Sequence, residues 1–259
     1  PISMPPDLPE DDRDIKIAKL EHQGDINYRR YLAKVYGKRK QMVSGIHYNF
    51  EFSHDLLMSL FQLQTDYTDF VAFRTDVYLK VSRQYLRYRW LITYLFGASP
   101  FADKRYFTDK ETEQPVRSIR NSEYGYTNRP EIAVSYQTID QYVSDLEELV
   151  DKGELIETKE FYSSVRLRGS DKVEELLTRG VSYIEIRNID LDPFERIGIS
   201  KETLRFLHLF LLTLLFLDEE STDATHMLDL GTEYNNKVSL EHPLDKTFLH
   251  EEGSWLLEK

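Results

Sequence analysis

Ser44-Gly45-Ile46-His47-Tyr48-Asn49-Phe50-Glu51-Phe52 alternates from Ile46 onward, with Ile46, Tyr48, Phe50 and Phe52 on one side and His47, Asn49 and Glu51 on the other. A period of two predicts a strand with one apolar and one polar face. Val181-Ser182-Tyr183-Ile184-Glu185-Ile186-Arg187 repeats the design: Ile184 and Ile186 share one face, Tyr183, Glu185 and Arg187 the other. If both polar faces line one cavity, it gathers an imidazole, a carboxylate and a guanidinium, groups that hold metal ions and phosphates. Taken alone, the His47 face is more simply a solvated strand face. Glu185 and Arg187 equally fit a surface ion pair.

Around these strands the chain has 259 residues, 41% hydrophobic and 13% aromatic, enough to bury one sizeable core. We expect a single domain over 1–259. The formal charge of −12 argues against a nucleic-acid surface, where basic patches supply the affinity, but leaves room for a local basic pocket. With no cysteine there is no disulfide, thiolate nucleophile or Cys-based metal site. That usage fits the cytoplasm. Residues 1–14 are rich in proline and acid, unlike a secretory signal, and the first residue is not Met, so the chain reads as starting inside a longer protein. The apolar run Leu204 to Leu217 contains Arg205 and His208 and falls short of the roughly 20 residues of a membrane span. It is expected as a buried helix.

Helical spacing of Tyr28, Leu32, Val35 and Tyr36 places a helix within 25–41, leading through Gly37 to the His47 strand. Ser53 is a suitable N-cap for a helix with Leu56, Leu57, Leu60 and Phe61 on its apolar stripe. One long helix is expected from about Asp69 to Phe96, stopped by Gly97-Ala98-Ser99-Pro100. Residues 101–129 lack periodicity, and a loop of that length is usually functional or disordered. Thr138-Ile139-Asp140-Gln141 reads as a capping box for a helix to Val150, closed by Gly153. A strand is expected within 160–168, a helix over 171–178, the second polar-faced strand over 180–188, and a helix from Ser200 to Leu217. Residues 218–223 and 233–259 are polar stretches without a clear period.

Arg117 to Asn128 concentrates guanidinium, phenol and amide groups, donors suited to a carboxylate or phosphate, or else a surface loop held by tyrosine packing. Arg166 and Arg168 form a second basic cluster that could meet a triphosphate or merely offset Glu174 and Glu175. Neither a Walker-type loop nor a G-x-G-x-x-G run is present. Phosphate handling would therefore rest on a sheet, arginines and Mg²⁺.

Several blocks, taken in order, resemble the bacterial glutamate–cysteine ligases, in particular the form that makes up the N-terminal part of bifunctional glutathione synthases. They are Ser3-Met4-Pro5, Tyr28-Arg29 before Tyr36-Gly37, Met42 to Phe50, Phe96-Gly97-Ala98-Ser99-Pro100, Ser118-Ile119-Arg120 with Gly125-Tyr126-Thr127-Asn128, and Arg179 to Arg187 continuing to Asp192-Pro193-Phe194. The resemblance implies an α+β, glutamine-synthetase-like fold, a curved and largely antiparallel sheet backed by helices. It also implies ATP-dependent joining of the L-glutamate γ-carboxylate to L-cysteine through γ-glutamyl phosphate, with Mg²⁺, or Mn²⁺ in its place.

Position by position, the resemblance makes Glu185 a metal ligand with His47 beside the metal and phosphates, and Arg187 a contact to the transferring phosphate. Arg120 and Tyr126 match loop positions that hold the amino acids, Tyr28 and Tyr162 match tyrosines on the cysteine side, and Arg166 falls on the nucleotide side. Arg187 and Arg120 are thus the expected catalytic arginines, and Gln41 matches a polar position to which no contact is assigned. The family's other metal-binding carboxylates precede Ser3-Met4-Pro5, so these 259 residues are expected to be a partial domain, inactive alone, whose parent could carry a C-terminal ATP-grasp domain. A related glutamate–amine ligase and a non-catalytic nucleotide- or amino-acid-binding fragment are the alternatives. Nucleic-acid and membrane partners are not expected.

Overall fold

Both alternating stretches are strands, and they are hydrogen-bonded neighbours. In this computed structural model, which describes every residue except Asp109, Pro130 and Thr222, β1 (Ile46–Phe50), β2 (Val165–Arg168) and β3 (Tyr183–Ile189) form a three-stranded antiparallel sheet in the order β1-β3-β2. Asn49 faces Glu185 across β1 and β3, while Arg166 faces Glu185 across β2 and β3. The register slips between Ile46 and Tyr48, so that His47 sits opposite a bulge in β3. A bulge re-aims side chains, and here it lies beside the polar cluster.

Val165, Leu167, Ile184 and Ile186 are buried on the apolar face, each worth roughly 1.5–3 kcal/mol of burial. The helices packed around that core are α2 (His54–Leu63), α3 (Phe70–Tyr88), α4 (Trp90–Phe96), α5 (Ile139–Asp151), the short α6 (Leu176–Arg179), α7 (Lys201–Phe216), α8 (Ala224–Leu240) and α9 (His250–Leu257), whereas α1 (Gln23–Tyr36) lies apart from them. Helix α3 forms the spine, touching β2, β3, α5, α7 and α8. Tyr78, Val81, Tyr85 and Tyr88 of α3 are fully buried, and Tyr85 donates to Asn188 of β3 at 2.7 Å.

Ser53, Thr138 and Ser200 cap their helices as expected, accepting from the backbone N–H of Leu56, Gln141 and Thr203. Four expectations need correction. The long helix over 69–96 is interrupted at Arg89, a turn between α3 and α4. The strand expected within 160–168 occupies only its end, Val165–Arg168, after a 3-10 turn over Thr158–Glu160. Helix α7 is not wholly buried, since Leu209 and Phe216 on its outer side are each 63% exposed. The polar stretches after 218 contain α8 and α9.

The loop over 101–129 is packed, its described residues being anchored through buried Tyr106, Val116 and Ile119 to Met4 and Leu8 of the N-terminal segment. Asp103 accepts from the Leu8 N–H at 3.1 Å, and the Ser44 N–H donates to the Ser3 carbonyl at 2.9 Å. These ties hold the N-terminal segment beside the approach to β1.

Candidate active site

The polar side of the sheet faces a cavity of about 520 Å³. Its wall brings together Tyr28 from α1, Gly45 from the β1 approach, His47 from β1, Arg120 and Tyr126 from the long loop, and Tyr162, Arg166 and Arg187 from the β2 and β3 region. Every residue expected at the site lines this cavity except Glu185, which is 5% exposed and touches both His47 and Arg187. Residues far apart in sequence therefore meet in one place.

Glu185 is the hub. Its Oε1 lies 2.9 Å from His47 Nδ1 and 3.4 Å from Arg187 Nε, and Arg168 Nε donates to Oε2 at 2.7 Å. Burial works against the carboxylate, yet the hydrogen bond and charge of Arg168, with Arg187 and His47 behind it, hold its pKa below the ordinary value. His47 is shifted down as well, first by burial and then by the Arg187 charge. A neutral imidazole with its proton on Nδ1 donates to Glu185 and leaves Nε2 to accept from Arg187 Nε at 3.5 Å.

The arginines differ in freedom. Arg187 lies over the Tyr162 ring, 5.4 Å from its centroid, and reaches the cavity. Arg166 donates to the carbonyls of Lys159 and Phe161, which ties β2 to the loop carrying Tyr162, and burial followed by the Arg187 charge lowers its pKa. Arg120 is buried, paired with Asp190 at 3.4 Å and donating to the Arg187 carbonyl. Gly45 makes this path open, because any Cβ there would collide with the Arg120 guanidinium.

Tyr126 packs against Tyr36 and Tyr162 with ring centroids 5.1 and 5.6 Å away. Tyr28 lies under the Lys159 ammonium, 4.5 Å from Nζ, and burial followed by the Glu160 charge raises its pKa to about 12. The wall is thus aromatic, and the Tyr28 phenol keeps its proton at neutral pH. Arg29, Lys40, Arg120, Lys159, Arg166 and Arg187 line the cavity against the carboxylates of Asp25 and Glu160. In a chain of net charge −12 this is a local excess of positive charge suited to an anionic ligand.

Arg117, from the same donor-rich loop, is placed elsewhere: it donates to the Pro243 carbonyl at 2.9 Å, pairs with Glu241 and lies over Tyr94. Asp190 and Glu160 were not among the expected residues. Asp190 Oδ2 accepts from the Ala98 N–H and from the Ser99 and Ser118 hydroxyls at 2.8 to 2.9 Å, and its Oδ1 faces Arg120 and Asn121. Little in the local sequence marks either acid, since Tyr36 lies 124 residues from Glu160 and the Asp190 partners lie tens of residues away. The Asn188-Ile189-Asp190 run at the end of a polar-faced strand is the one available signal for Asp190.

Among the described residues no group of three His, Asp or Glu side chains converges as metal ligands. Glu185 is a single carboxylate already engaged by Arg168 and His47. The residues present therefore do not by themselves fit a Mg²⁺ ion, which favours several oxygen ligands.

The model of the family described as glutamate-cysteine ligase matches residues 1–155 and 150–237. The glutathione biosynthesis bifunctional protein GshAB of Enterococcus faecalis is 51% identical over 255 residues, covering 98% of this chain and 34% of the relative. Its counterpart in Pasteurella multocida is 46% identical, with 99% and 34% covered. Among solved structures, a bifunctional glutathione synthetase from Pasteurella multocida matches with a TM-score of 0.92 at 45% identity, over 100% of this chain and 34% of that one. A glutamate–cysteine ligase from Francisella tularensis in complex with AMP matches with a TM-score of 0.79 at 29% identity, over 92% and 55%. The chain spans about a third of the length of the curated relatives it matches.

Proposed function

The chain belongs to the glutamate–cysteine ligase family, and from that premise we propose that it builds part of a site joining L-glutamate to L-cysteine at the expense of ATP. In this reading a γ-carboxylate oxygen of glutamate attacks the γ-phosphorus of ATP and ADP leaves. The cysteine amine then attacks the γ-glutamyl phosphate, giving γ-glutamylcysteine and phosphate. Negative charge gathers on the transferring phosphoryl oxygens and then on a tetrahedral carbon, so fixed cationic donors lower both barriers.

One observation carries the reading: a wall of tyrosines and a set of arginines share one cavity whose floor is the Glu185 cluster. We assign Arg187 to the phosphoryl oxygens because it reaches the cavity from the sheet. Neutral His47 lies beside it as a donor or acceptor at the phosphate end, and Arg166 contributes positive charge on the nucleotide side. Tyr28, Tyr126 and Tyr162 form the cysteine wall. Arg120 serves the amino acids, chiefly by holding the loop that carries Tyr126 against the end of β3, since its guanidinium is tied to Asp190 and the Arg187 carbonyl.

We further propose that Glu185 is one carboxylate ligand of a Mg²⁺ or Mn²⁺ ion whose other ligands come from outside these residues, and that the three strands belong to a larger glutamine-synthetase-like curved sheet. The chain covers 34% of its relative's length, which leaves the further ligands and strands to the rest of such a protein. In a protein of that length a C-terminal ATP-grasp domain would complete glutathione synthesis. The cytoplasm, which supplies ATP and reduced cysteine, is the compartment that suits the reaction.

The test is ADP release by a polypeptide of the relatives' length that contains these residues. Release should require glutamate and cysteine together. Turnover needing neither amino acid would overturn the ligase reading, and 2-aminobutyrate replacing cysteine with equal efficiency would redirect it to a broader glutamate–amine ligase.

A further inference from the structure

Helix α1 supplies Asp25, Tyr28, Arg29 and Leu32 to the cavity, residues three or four apart that share one helix face. Leu32 is the helix's one buried residue. A helix with so little buried surface gains little from packing and needs specific ties to stay in place. At its C-terminal end Tyr36 provides two: its hydroxyl donates to Glu160 Oε1 at 2.8 Å, and its ring packs on Tyr126. The Tyr126 ring continues to Tyr162, over which Arg187 lies.

Glu160 is 3% exposed, and its second oxygen accepts from the Ile156 N–H at 2.8 Å. Among the described residues it forms no ion pair within 4.0 Å. Burying a carboxylate on two neutral hydrogen bonds is costly, and an apolar residue would serve packing better. Both oxygens are engaged by the protein, one by α1 and one by the 156–162 loop, so the carboxylate bridges the two. Burial, followed by the hydrogen bond to Glu160, raises the Tyr36 pKa, so the phenol keeps the proton it donates.

We propose that Glu160 and Tyr36 are positioning residues for the amino-acid end of the cavity, their hydrogen bond latching α1 over the Tyr28, Tyr126 and Tyr162 wall. The role assigned to that wall rests on the ligase reading. The latch lies on α1 and the 156–162 loop, whereas Glu185, His47 and Arg187 sit on the sheet, so releasing it loosens the acceptor wall and leaves the phosphoryl end in place.

Tyr36→Phe, Glu160→Gln and the double variant test this. Hydrogen exchange on the 259-residue chain should show the α1 amides exchanging faster in Tyr36→Phe while those of α3 are unchanged. In the longer polypeptide, Tyr36→Phe should raise the KM for cysteine about tenfold, the scale of one hydrogen bond to a charged group. The kcat and the KM for ATP should stay within twofold of the parent, and the double variant should be no worse than the more affected single one. Unchanged α1 exchange, an unchanged KM for cysteine, or strictly additive effects would overturn the latch. If the parent polypeptide turned over no glutamate and cysteine, the ligase reading would fail, and α1 exchange would still decide whether the latch exists.

Discussion

His47 Nδ1 and Glu185 Oε1 lie 2.9 Å apart across the β1–β3 pair, beside the bulge that breaks its register. With Arg168 and Arg187 on the same carboxylate, this contact fixes the one acid on the polar face of the sheet that faces the cavity. Glu185→Ala should lower ligase turnover by at least about 10²–10³-fold, the usual cost of losing one preorganised electrostatic element. Steady-state kinetics with all three substrates saturating checks it. Turnover within twofold of the parent would remove Glu185 from the mechanism.

Arg120 and Asp190 form a buried pair in which the acid also collects the Ser99 and Ser118 hydroxyls. Asp190→Ala strands these donors and should cost about 3–5 kcal/mol in urea unfolding, the range for breaking a buried pair. Arg120→Lys should not restore an Arg120→Ala loss, because an ammonium cannot reach Asp190 and the Arg187 carbonyl with one planar fork. A Lys variant as stable as the parent would contradict the clamp.

Gly45→Ala places a methyl on the path of the Arg120 guanidinium. The expected cost is about 1–3 kcal/mol, typical of overpacking a filled site, with the KM for an amino acid rising as Arg120 is displaced. Thermal unfolding together with kinetics would register both. A variant with parental stability and KM would show that the guanidinium can pass elsewhere.

Asp103 offers a pH test away from the cavity. The Arg105 side chain and then its N–H hold the Asp103 pKa down at about 2, and the same carboxylate accepts from the Leu8 N–H. Because the folded pKa is depressed, its stabilising effect is complete above the ordinary carboxylate value near 3.8 and is lost as pH falls through about 2. The Leu8 amide resonance should therefore titrate with a midpoint near 2 in the parent and lose that step in Asp103→Asn. A midpoint near 3.8 would mean that Arg105 does not hold the carboxylate in solution.

Alternation revealed the faces of β1, whose exposure changes at every second residue, and of β3, where residue type alternates although Glu185 is buried. Ser53, Thr138 and Ser200 marked their helices because a cap acts within three residues. Helix α8 was missed for a physical reason. Its buried residues are Ala224, Met227, Gly231, Asn235, Val238 and Ser239, mostly small or polar, and it approaches α3 and α4 closely: a Cβ at Gly231 would strike the Leu86 carbonyl of α3, and Asn235 bonds Thr93 of α4 at 2.8 Å. Hydrophobic periodicity cannot detect a helix packed through such residues. Tyr28, His47, Arg120, Tyr126 and Arg187 were legible through their family blocks, whereas Glu160 takes its meaning from Tyr36 and Asp190 from Ser99, Ser118 and Arg120, partners brought close only by folding.

If the cavity supports an acyl-phosphate ligation of glutamate, an oxygen atom passes from the γ-carboxylate to the released phosphate. With L-glutamate carrying ¹⁸O in both γ-carboxylate positions, a polypeptide of the relatives' length should release phosphate bearing one ¹⁸O for each γ-glutamylcysteine formed. Release of unlabelled phosphate alongside that product would rule out γ-glutamyl phosphate.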